Sequence, residues 1–543
     1  MADSCNVLMI YPKFNPRSFW SYDGACELLG AKYPAAPLGM ITLAAMLPPS
    51  WHIRLVNRNT EELEDADLSW ADMVMTGGML AQRFDCLRVI ERAQTIGKTV
   101  IIGGPDVTSS PQAYAAADIR VLGEAETIID EFIAAWRGGE RRGLFESPRF
   151  QADVTKTPIP RFDLLKKSHY VYPTVQFSRG CPFMCEFCDI IELYGRVPRT
   201  KTPAQMLAEL DALYELGWRG HVDFVDDNLI GNKKAVKAFL PHLIEWQKKR
   251  KYPFMISTEA SLNLADDPQL LKLLREANFI AVFVGIESPD DETLIHTQKK
   301  QNTRRSIPES VHRIYEAGII VAAGFILGFD TEKDNVATGM VRCIEESMIP
   351  ISNVSLLYAL AGTQLTRRLE REGRLRPDYE VDRRGNAGDF ALAGLNFETI
   401  RQRRDILSDF AAVLSAVYEP HTYFARARRM VLSLNRINLG LRIQLRDSWL
   451  EFDRFLRIMW HLSWHRPEMR RHVWRLFVEC MVRNPRAVRA VMTMSLFYLF
   501  LGPLSRMMVD VAHAQIAEFD AAEPTGQDLP RLAPSVSATA TAA

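Results

Sequence analysis

Two successive runs of short apolar strands alternating with helical stretches constrain this 543-residue chain more than any other feature. Apolar runs at 7–11, 53–56, 73–76, 99–102 and 119–122 have helical patterns such as 83–96 between them. Strands separated by helices pair in parallel, so residues 1–140 are expected to form a doubly wound, Rossmann-like α/β sheet. A second run at 174–178, 221–225, 254–258, 281–286, 321–327 and 353–358 predicts six strand–helix units within 171–375, which suit a partial parallel (β/α)6 barrel. The stretch 141–170, with Thr157-Pro158-Ile159-Pro160 near its end, reads as a linker because proline favours extended backbone. From 376 to 516 the pattern is α-helical, and 517–543, rich in Ala, Pro, Ser and Thr, is expected to be disordered.

In such sheets and barrels ligands sit beyond the carboxyl ends of the strands. The first segment places Thr76-Gly77-Gly78, Gly103-Gly104-Pro105 and Gly123-Glu124 at its strand ends, where glycine lets backbone approach a ligand. Turn formation alone would also explain these glycines, and no GxGxxG is present to support a dinucleotide. The second segment ends its strands in Asp226-Asp227-Asn228, Glu259, Glu287-Ser288 and Gly324-Phe325-Ile326-Leu327-Gly328, with Ala361-Gly362-Thr363 after the sixth. One such carboxylate could be a helix cap, whereas several on one rim point to a site.

Cys181, Cys185 and Cys188 form a CxxxCxxC loop directly after the first barrel strand. An iron–sulfur cluster takes one cysteine per iron, so three cysteines on a 4Fe-4S cluster leave one iron open to bind something else. Structural zinc prefers four closed ligands, commonly paired CxxC units or CxxC with two histidines. Neither pattern is present, and His169 and His221 lie well outside the loop. Cys5, Cys26, Cys86, Cys343 and Cys480 are scattered singly, as small core residues are.

Eight cysteines without a regular framework, and no basic-plus-apolar leader before residue 6, suit a reducing cytoplasm. Equal numbers of basic and acidic residues, 66 each, give no electrostatic case for nucleic acid. The balance is uneven, however: 421–510 holds sixteen Arg, no Lys and six acidic residues. Within it, 490–505 is uncharged and follows Arg483, Arg486 and Arg489. Sixteen residues broken by Gly502-Pro503 fall short of a bilayer span. Two readings stay open, an interfacial helix against anionic lipid on the inner face of a membrane and a core helix of an α-helical cap.

Together these residues resemble the cobalamin-binding radical S-adenosylmethionine (SAM) enzymes, over roughly 5–375 of the chain. The CxxxCxxC loop is that superfamily's signature. Asp226-Asp227-Asn228 stands where the family often has a Gly-Gly-Glu contact to the methionine amino group; the glycines are absent and the acidic character is kept. Glu287-Ser288 resembles a ribose contact, and Gly324, Ile326 and Gly328 a segment along the adenine. The N-terminal segment resembles the family's cobalamin domain, with Gly103-Gly104-Pro105-Asp106-Val107-Thr108 and Gly123-Glu124-Ala125-Glu126 as matching stretches. A DxHxxG motif is missing and His52 is the only histidine before residue 150, so the resemblance implies a cobalamin whose lower face lacks a histidine ligand. The loop continuation through Leu193-Tyr194-Gly195-Arg196 and the C-terminal helices are similar to the subgroup containing hopanoid C-2 methylases.

The resemblance implies three cofactors, a 4Fe-4S cluster, SAM and cobalamin, and a one-electron reductant of flavodoxin or ferredoxin type. Its family mechanism abstracts hydrogen from an unactivated carbon and transfers methyl from cobalamin to it. Asp226, Asp227 and Glu287 are then expected to hold the nucleoside, and Tyr194 to line the reacting centre. The expected substrate is small and hydrophobic, a lipid if the C-terminal helices meet a membrane. Two alternatives stay open: a radical oxidation, cyclisation or rearrangement without methyl transfer, and a non-catalytic cobalamin or iron–sulfur sensor.

Overall fold

The computed structural model describes residues 4–522 except 16–17, 20–21, 23, 377–393 and 436–444. Its first sheet is built from β1 (Asn6–Tyr11), β3 (His52–Asn57), β4 (Met73–Gly77), β5 (Thr99–Gly103), β6 (Ile119–Leu122) and β7 (Gly143–Glu146), β2 (Tyr33–Ala35) standing apart. The order is β3-β1-β4-β5-β6-β7 and every pairing is parallel. Successive residues bury on opposite faces: Val7, Met9, Met73 and Met75 pack into one apolar layer, Leu8, Ile10, Val74 and Val100 into the other. Both faces are therefore covered, as parallel sheet requires. The chain turns back across β1 to place β4 on its other side, which opens a crevice beyond the carboxyl ends of these two strands.

β7 lies inside the stretch expected to be linker. Only Phe145 of its four residues is buried, so this edge strand carries no periodicity to read. β8 (Tyr170–Tyr172), near the end of the same stretch, pairs in parallel with β2, Tyr33 opposite Tyr170, and joins the first sheet's domain to the second.

The second sheet follows the order β16-β15-β14-β13-β12-β9, again all parallel. Its strands are β9 (Thr174–Val175), β12 (Gly220–Phe224), β13 (Phe254–Glu259), β14 (Phe279–Glu287), β15 (Ile320–Leu327) and β16 (Ile351–Leu356). β10 (Ser178–Arg179) and β11 (Arg199–Thr200) form a separate antiparallel ribbon. Val282, Val284, Ile286, Val321, Phe325 and Leu327 bury against the outer helices. Ala322, Gly324 and Ile326 alternate with them and face the interior. β9 and β16 are not paired, so the barrel is open, as the six-unit pattern predicts.

Helices Arg403–Val417, Pro420–Ser433, Leu445–Trp464, Pro467–Arg483 and Val488–Ala522 make a cap beside the open edge. Tyr418 seals β16: its hydroxyl donates to the carbonyl of Ser352 at 2.6 Å and accepts from the Ser352 N–H at 3.2 Å. Arg426 is fully buried, donates to the Val417 carbonyl at 2.8 Å and pairs with Glu345 on the barrel helix Val336–Glu346.

The uncharged run 490–505 lies within the 35-residue helix Val488–Ala522, which continues through Gly502-Pro503 where the sequence predicts a break. By length and composition this helix could cross a membrane. Val491, Met494, Tyr498, Phe500, Leu504 and Met508 are nevertheless buried in the main core. Of the two readings left open, the core helix is the one observed. The helix also takes in 517–522, expected to be disordered; 523–543 lie outside the described residues.

Because Arg426 is wholly buried, removing its partner leaves an uncompensated charge. E345A is expected to lose about 3–5 kcal/mol in chemical denaturation. E309A, from the exposed pair with Arg313, should change stability by less than ~1 kcal/mol.

Candidate active site

The β10–β11 ribbon brackets the cysteine loop. Ser178 pairs with Thr200, Arg179 with Arg199, and the Cys181 N–H donates to the Gly195 carbonyl at 3.2 Å. Asp226 and Asp227, at the end of β12, hold the strand that leads into this loop. Asp226 accepts from the backbone N–H groups of Phe177 and Ser178 and from the Ser178 hydroxyl, and Asp227 accepts from the Gly180 N–H at 2.7 Å. Burial pushes Asp226 up to about 7 and Asp227 up to about 6, against the pull of these hydrogen bonds. Asp226, expected at the nucleoside, braces the loop and is not among the residues that line the cavity described below. Asp227 does line the cavity.

Two amides face the thiols. Asn228 donates toward Cys181 Sγ at 3.8 Å and Gln301 toward Cys185 Sγ at 3.6 Å. Burial pushes the Cys181 thiol up and the Cys188 thiol well up, so a bound metal is what would hold them as thiolates. Among the described residues no three His, Cys, Asp or Glu side chains converge on one point, as a single zinc ion would need. A cluster takes one cysteine per iron and spreads its ligands around several metals. The donor set fits the cluster better than zinc.

At the end of β14, Glu287 has φ +67° and pairs with Lys299 at 2.7 Å, both largely buried. Burial alone would lower Lys299, but the Glu287 carboxylate and the neighbouring Cys185 hold its ammonium above the usual lysine range. A Cβ on Gly285 would lie 2.2 Å from Glu287 Oε1 and 2.8 Å from Lys299 Nζ, so glycine makes room for this pair. Gly324 lies alongside, its would-be Cβ 3.8 Å from Glu287 Oε2. Ser288 is buried with its hydroxyl accepting from the Asp290 N–H at 3.2 Å. Both residues were expected at the ribose; the structure turns Ser288 into its own loop and gives Glu287 an ammonium partner. Ile326 sits half-buried opposite Ser355, and the Gly328 N–H donates to Glu332 at 2.9 Å.

The first domain presents its strand ends across a cavity of about 1860 Å³ that both domains line. Thr76, Gly77, Gly103, Gly104, Pro105, Thr108, Gly123 and Glu124 all border it, as does Tyr194 from the cysteine loop. A Cβ on Gly77 would lie 2.1 Å from the Gly103 carbonyl, so any other residue would collide with the backbone of the neighbouring strand end. Thr108 ties two of the loops together, donating to the Gly104 carbonyl at 2.8 Å and accepting from the Gly123 N–H at 2.9 Å. No histidine lies among the described residues that line the cavity. Burial raises the Tyr194 hydroxyl well above its ordinary value, leaving it neutral.

Glu124 does more than border the cavity. It pairs with Arg179 at 3.2 Å and Arg199 at 2.8 Å, and Glu126 pairs with Arg179 at 2.6 Å, so two first-domain carboxylates grip both strands of the ribbon. Burial alone would raise Glu126, but Arg179 holds it below the usual carboxylate range.

Inside the barrel His221, Asp223, Ser257 and Glu259 form a polar file. His221 Nε2 lies 2.7 Å from Ser257 Oγ, which donates to Asp223. Burial lowers His221, keeping it neutral. Glu259 opens into the cavity, and burial, then the nearby Asp223, Asp227 and Asp226 carboxylates, push it up to about 8. Tyr22, Tyr33 and Tyr172 complete this end of the cavity. The sequence reading named Glu259 but missed His221 and Asp223. Their spacing of two within a strand whose alternate residues, Val222 and Phe224, are wholly buried would have placed both in the lumen. Lys299, Arg179 and Arg199 were missed too, and single long-range partners leave no periodic signal.

Residues 175–342 match the Radical SAM superfamily, and 363–512 match a domain of unknown function (DUF4070). An uncharacterized methyltransferase of Synechocystis sp. is 47% identical over 430 residues, 79% of each chain. The hopanoid C-2 methylase of Rhodopseudomonas palustris is 40% identical over 395 residues, 72% of this chain and 74% of that one. Among solved structures, the cobalamin-dependent radical SAM enzyme OxsB, with aqua-cobalamin and SAM bound, superposes with a TM-score of 0.57 over 96% of this chain and 80% of its own, at 15% identity. TsrM from Kitasatospora setae, with cobalamin and its cluster bound, gives 0.59 over 84% and 99%, at 14% identity. At such identities the likeness speaks for the fold alone. The chain belongs to the radical SAM superfamily, in the branch of methyltransferases that includes hopanoid C-2 methylase.

Proposed function

We propose that the protein methylates an unactivated carbon of a hydrophobic substrate of lipid class, using SAM, a 4Fe-4S cluster and cobalamin. The observation that carries this reading is one cavity lined on one side by glycine-rich strand ends and on the other by Asp189, Ile190 and Tyr194, which follow the three cysteines, and by Asp227 and Glu259 of the barrel rim; Cys181, Cys185 and Cys188 themselves do not line it. Relatives named as methyltransferases support methyl transfer over oxidation or rearrangement, and the one named hopanoid C-2 methylase supports a lipid. When bound, the cofactors supply the hard chemistry: an electron to cleave SAM, a radical able to take hydrogen from carbon, and a carrier for the methyl group.

The residues of the chain bind, align and exclude water. Cys181, Cys185 and Cys188 would hold the cluster, with the Asn228 and Gln301 amides donating to sulfur. Lys299 adds a buried positive charge beside it, its position fixed by Glu287. Asp227, Glu259 and Tyr194 would face the nucleoside and substrate. The cradle at Gly77, Gly103, Gly104 and Gly123 would seat the cobalamin. The clamp of Glu124 and Glu126 on Arg179 and Arg199 sets the distance between the two sides. A one-electron donor of flavodoxin or ferredoxin type would serve the cluster, and the protein would work on the cytoplasmic side of a membrane, where such a substrate partitions.

C185A should lose the iron–sulfur absorbance and all 5′-deoxyadenosine formation under anaerobic reduction; retention of either would overturn the cluster assignment. E124Q and E126Q together should leave 5′-deoxyadenosine formation near wild type while methylated product falls roughly 10- to 100-fold, since small misplacements of reacting groups cost rate steeply. Glu259 keeps its proton when folded up to about pH 8 but loses it when unfolded near the usual carboxylate range. The wild type should therefore lose stability as pH rises from about 4.5 to about 8, and E259Q should show a shallower slope in denaturation midpoints measured across the range, because Asp226 and Asp227, also raised, keep their share of it.

A further inference from the structure

The cap carries an exposed face that neither the cavity nor the barrel uses. Of the eighteen large apolar side chains left exposed among the described residues, seven fall within 456–482. Such clustering marks a binding surface, whereas scattered apolar residues do not. Trp460 and Trp464 are 60% and 67% exposed and stack on one another with ring centroids 5.3 Å apart. Trp474 joins them from the next helix, its indole N–H donating to the Ser463 hydroxyl at 3.0 Å. Along Pro467–Arg483 the positions Trp474, Val478, Met481 and Val482 follow i, i+4, i+7 and i+8, one face of a helix. The opposite side of the same hairpin is buried through Ile458, Leu462, Met469, Val473 and Leu476. The hairpin is thus anchored on one side and bare on the other.

Charge says what covers it. Arg470, Arg471, Arg475 and Arg486 are exposed around these residues. Sixteen arginines against six acidic residues over 421–510 give a local excess of ten positive charges in a chain that is neutral as a whole. Tryptophan has an apolar body and a polar N–H and settles at the level of lipid headgroups, and arginine is drawn to anionic ones.

We propose that the outer face of the hairpin formed by Leu445–Trp464 and Pro467–Arg483 docks on an anionic membrane, with Trp460, Trp464 and Trp474 in the headgroup layer and the arginines against lipid phosphates. The surface lies one helix along from where the apolar sequence run suggests, because that run is buried. The hairpin packs on the helix Val488–Ala522, and Phe500 of that helix stacks on Tyr22 in the cavity wall with ring centroids 4.8 Å apart. Docking deepens, and rests on, the reading of a lipid substrate.

The test is vesicle flotation of the full-length, cluster-loaded protein. Vesicles of phosphatidylcholine alone are compared with vesicles of phosphatidylcholine and phosphatidylglycerol. The wild type is expected to float with the anionic vesicles only. R470E/R471E/R475E should weaken binding by roughly 100-fold, and W460A/W464A/W474A by on the order of tenfold or more. Cluster content and 5′-deoxyadenosine formation should be unchanged in both, which separates docking from folding. Failure of the wild type to float, or flotation of both variants like wild type, overturns the proposal. So does a wild-type dimer that the tryptophan variant turns into a monomer without any flotation, since a second copy would then own the face. Flotation with no lipid labelled from methyl-labelled SAM in extracts of the host cell would leave docking standing and sink the lipid-substrate reading. Labelled lipid without flotation would do the reverse.

Discussion

Everything the cavity can do depends on four side chains that hold its two walls together. Glu124 and Glu126 leave the first domain, Arg179 and Arg199 leave the two strands of the ribbon beneath the cysteine loop, and the four meet in a buried network. A cofactor on the glycine-rich side and a cluster on the other belong to separate folding units, and radical transfer tolerates little error in their spacing. Charge pairs with several hydrogen bonds fix both distance and orientation, which apolar contact between two sheets would not. The parallel β2–β8 pair adds a second tie between the same domains.

Beneath the ribbon the acids are layered by function. Asp226 is occupied with two backbone N–H groups and the Ser178 hydroxyl, Asp227 holds one N–H and still faces the cavity, and Glu259 faces it as well. The gradient runs from scaffold to site within one rim. Each carboxyl is raised by burial, and their mutual repulsion adds to the effect. Glu259, the highest of the three, is the one that keeps its proton at neutral pH.

The parts of the fold legible in the sequence are those whose residues bury on two faces. β13, β14 and β15 read clearly because residues such as Ile256, Val282, Val284, Val321 and Phe325 enter the outer core, while between them fall small or polar ones such as Ser257, Ala281, Gly285, Ala322 and Gly324. β7, with one buried residue, and the two short strands β2 and β8 carry too little pattern to see. Gly502-Pro503 reads as a stop, but burial on several sides of the helix outweighs the local cost of proline. For the site, the cysteine loop and glycine turns were legible because spacing alone defines them. The uses of Asp226 and Glu124 were not, since each is decided by a partner that folding brings up, 48 residues away for Asp226 and 55 for Glu124.

The unpaired edge of β16 has a further meaning. An open barrel has two edge strands, and an edge strand is a template on which another chain can add a strand. Tyr418 fills both the donor and the acceptor of Ser352 with one hydroxyl and brings the cap across that edge. The cap therefore guards the barrel against self-association whether or not it ever touches lipid. That places a limit on how freely its helices could have been reshaped for new substrates: whatever face they turn outward, one of them must keep a phenol on the edge of the sheet.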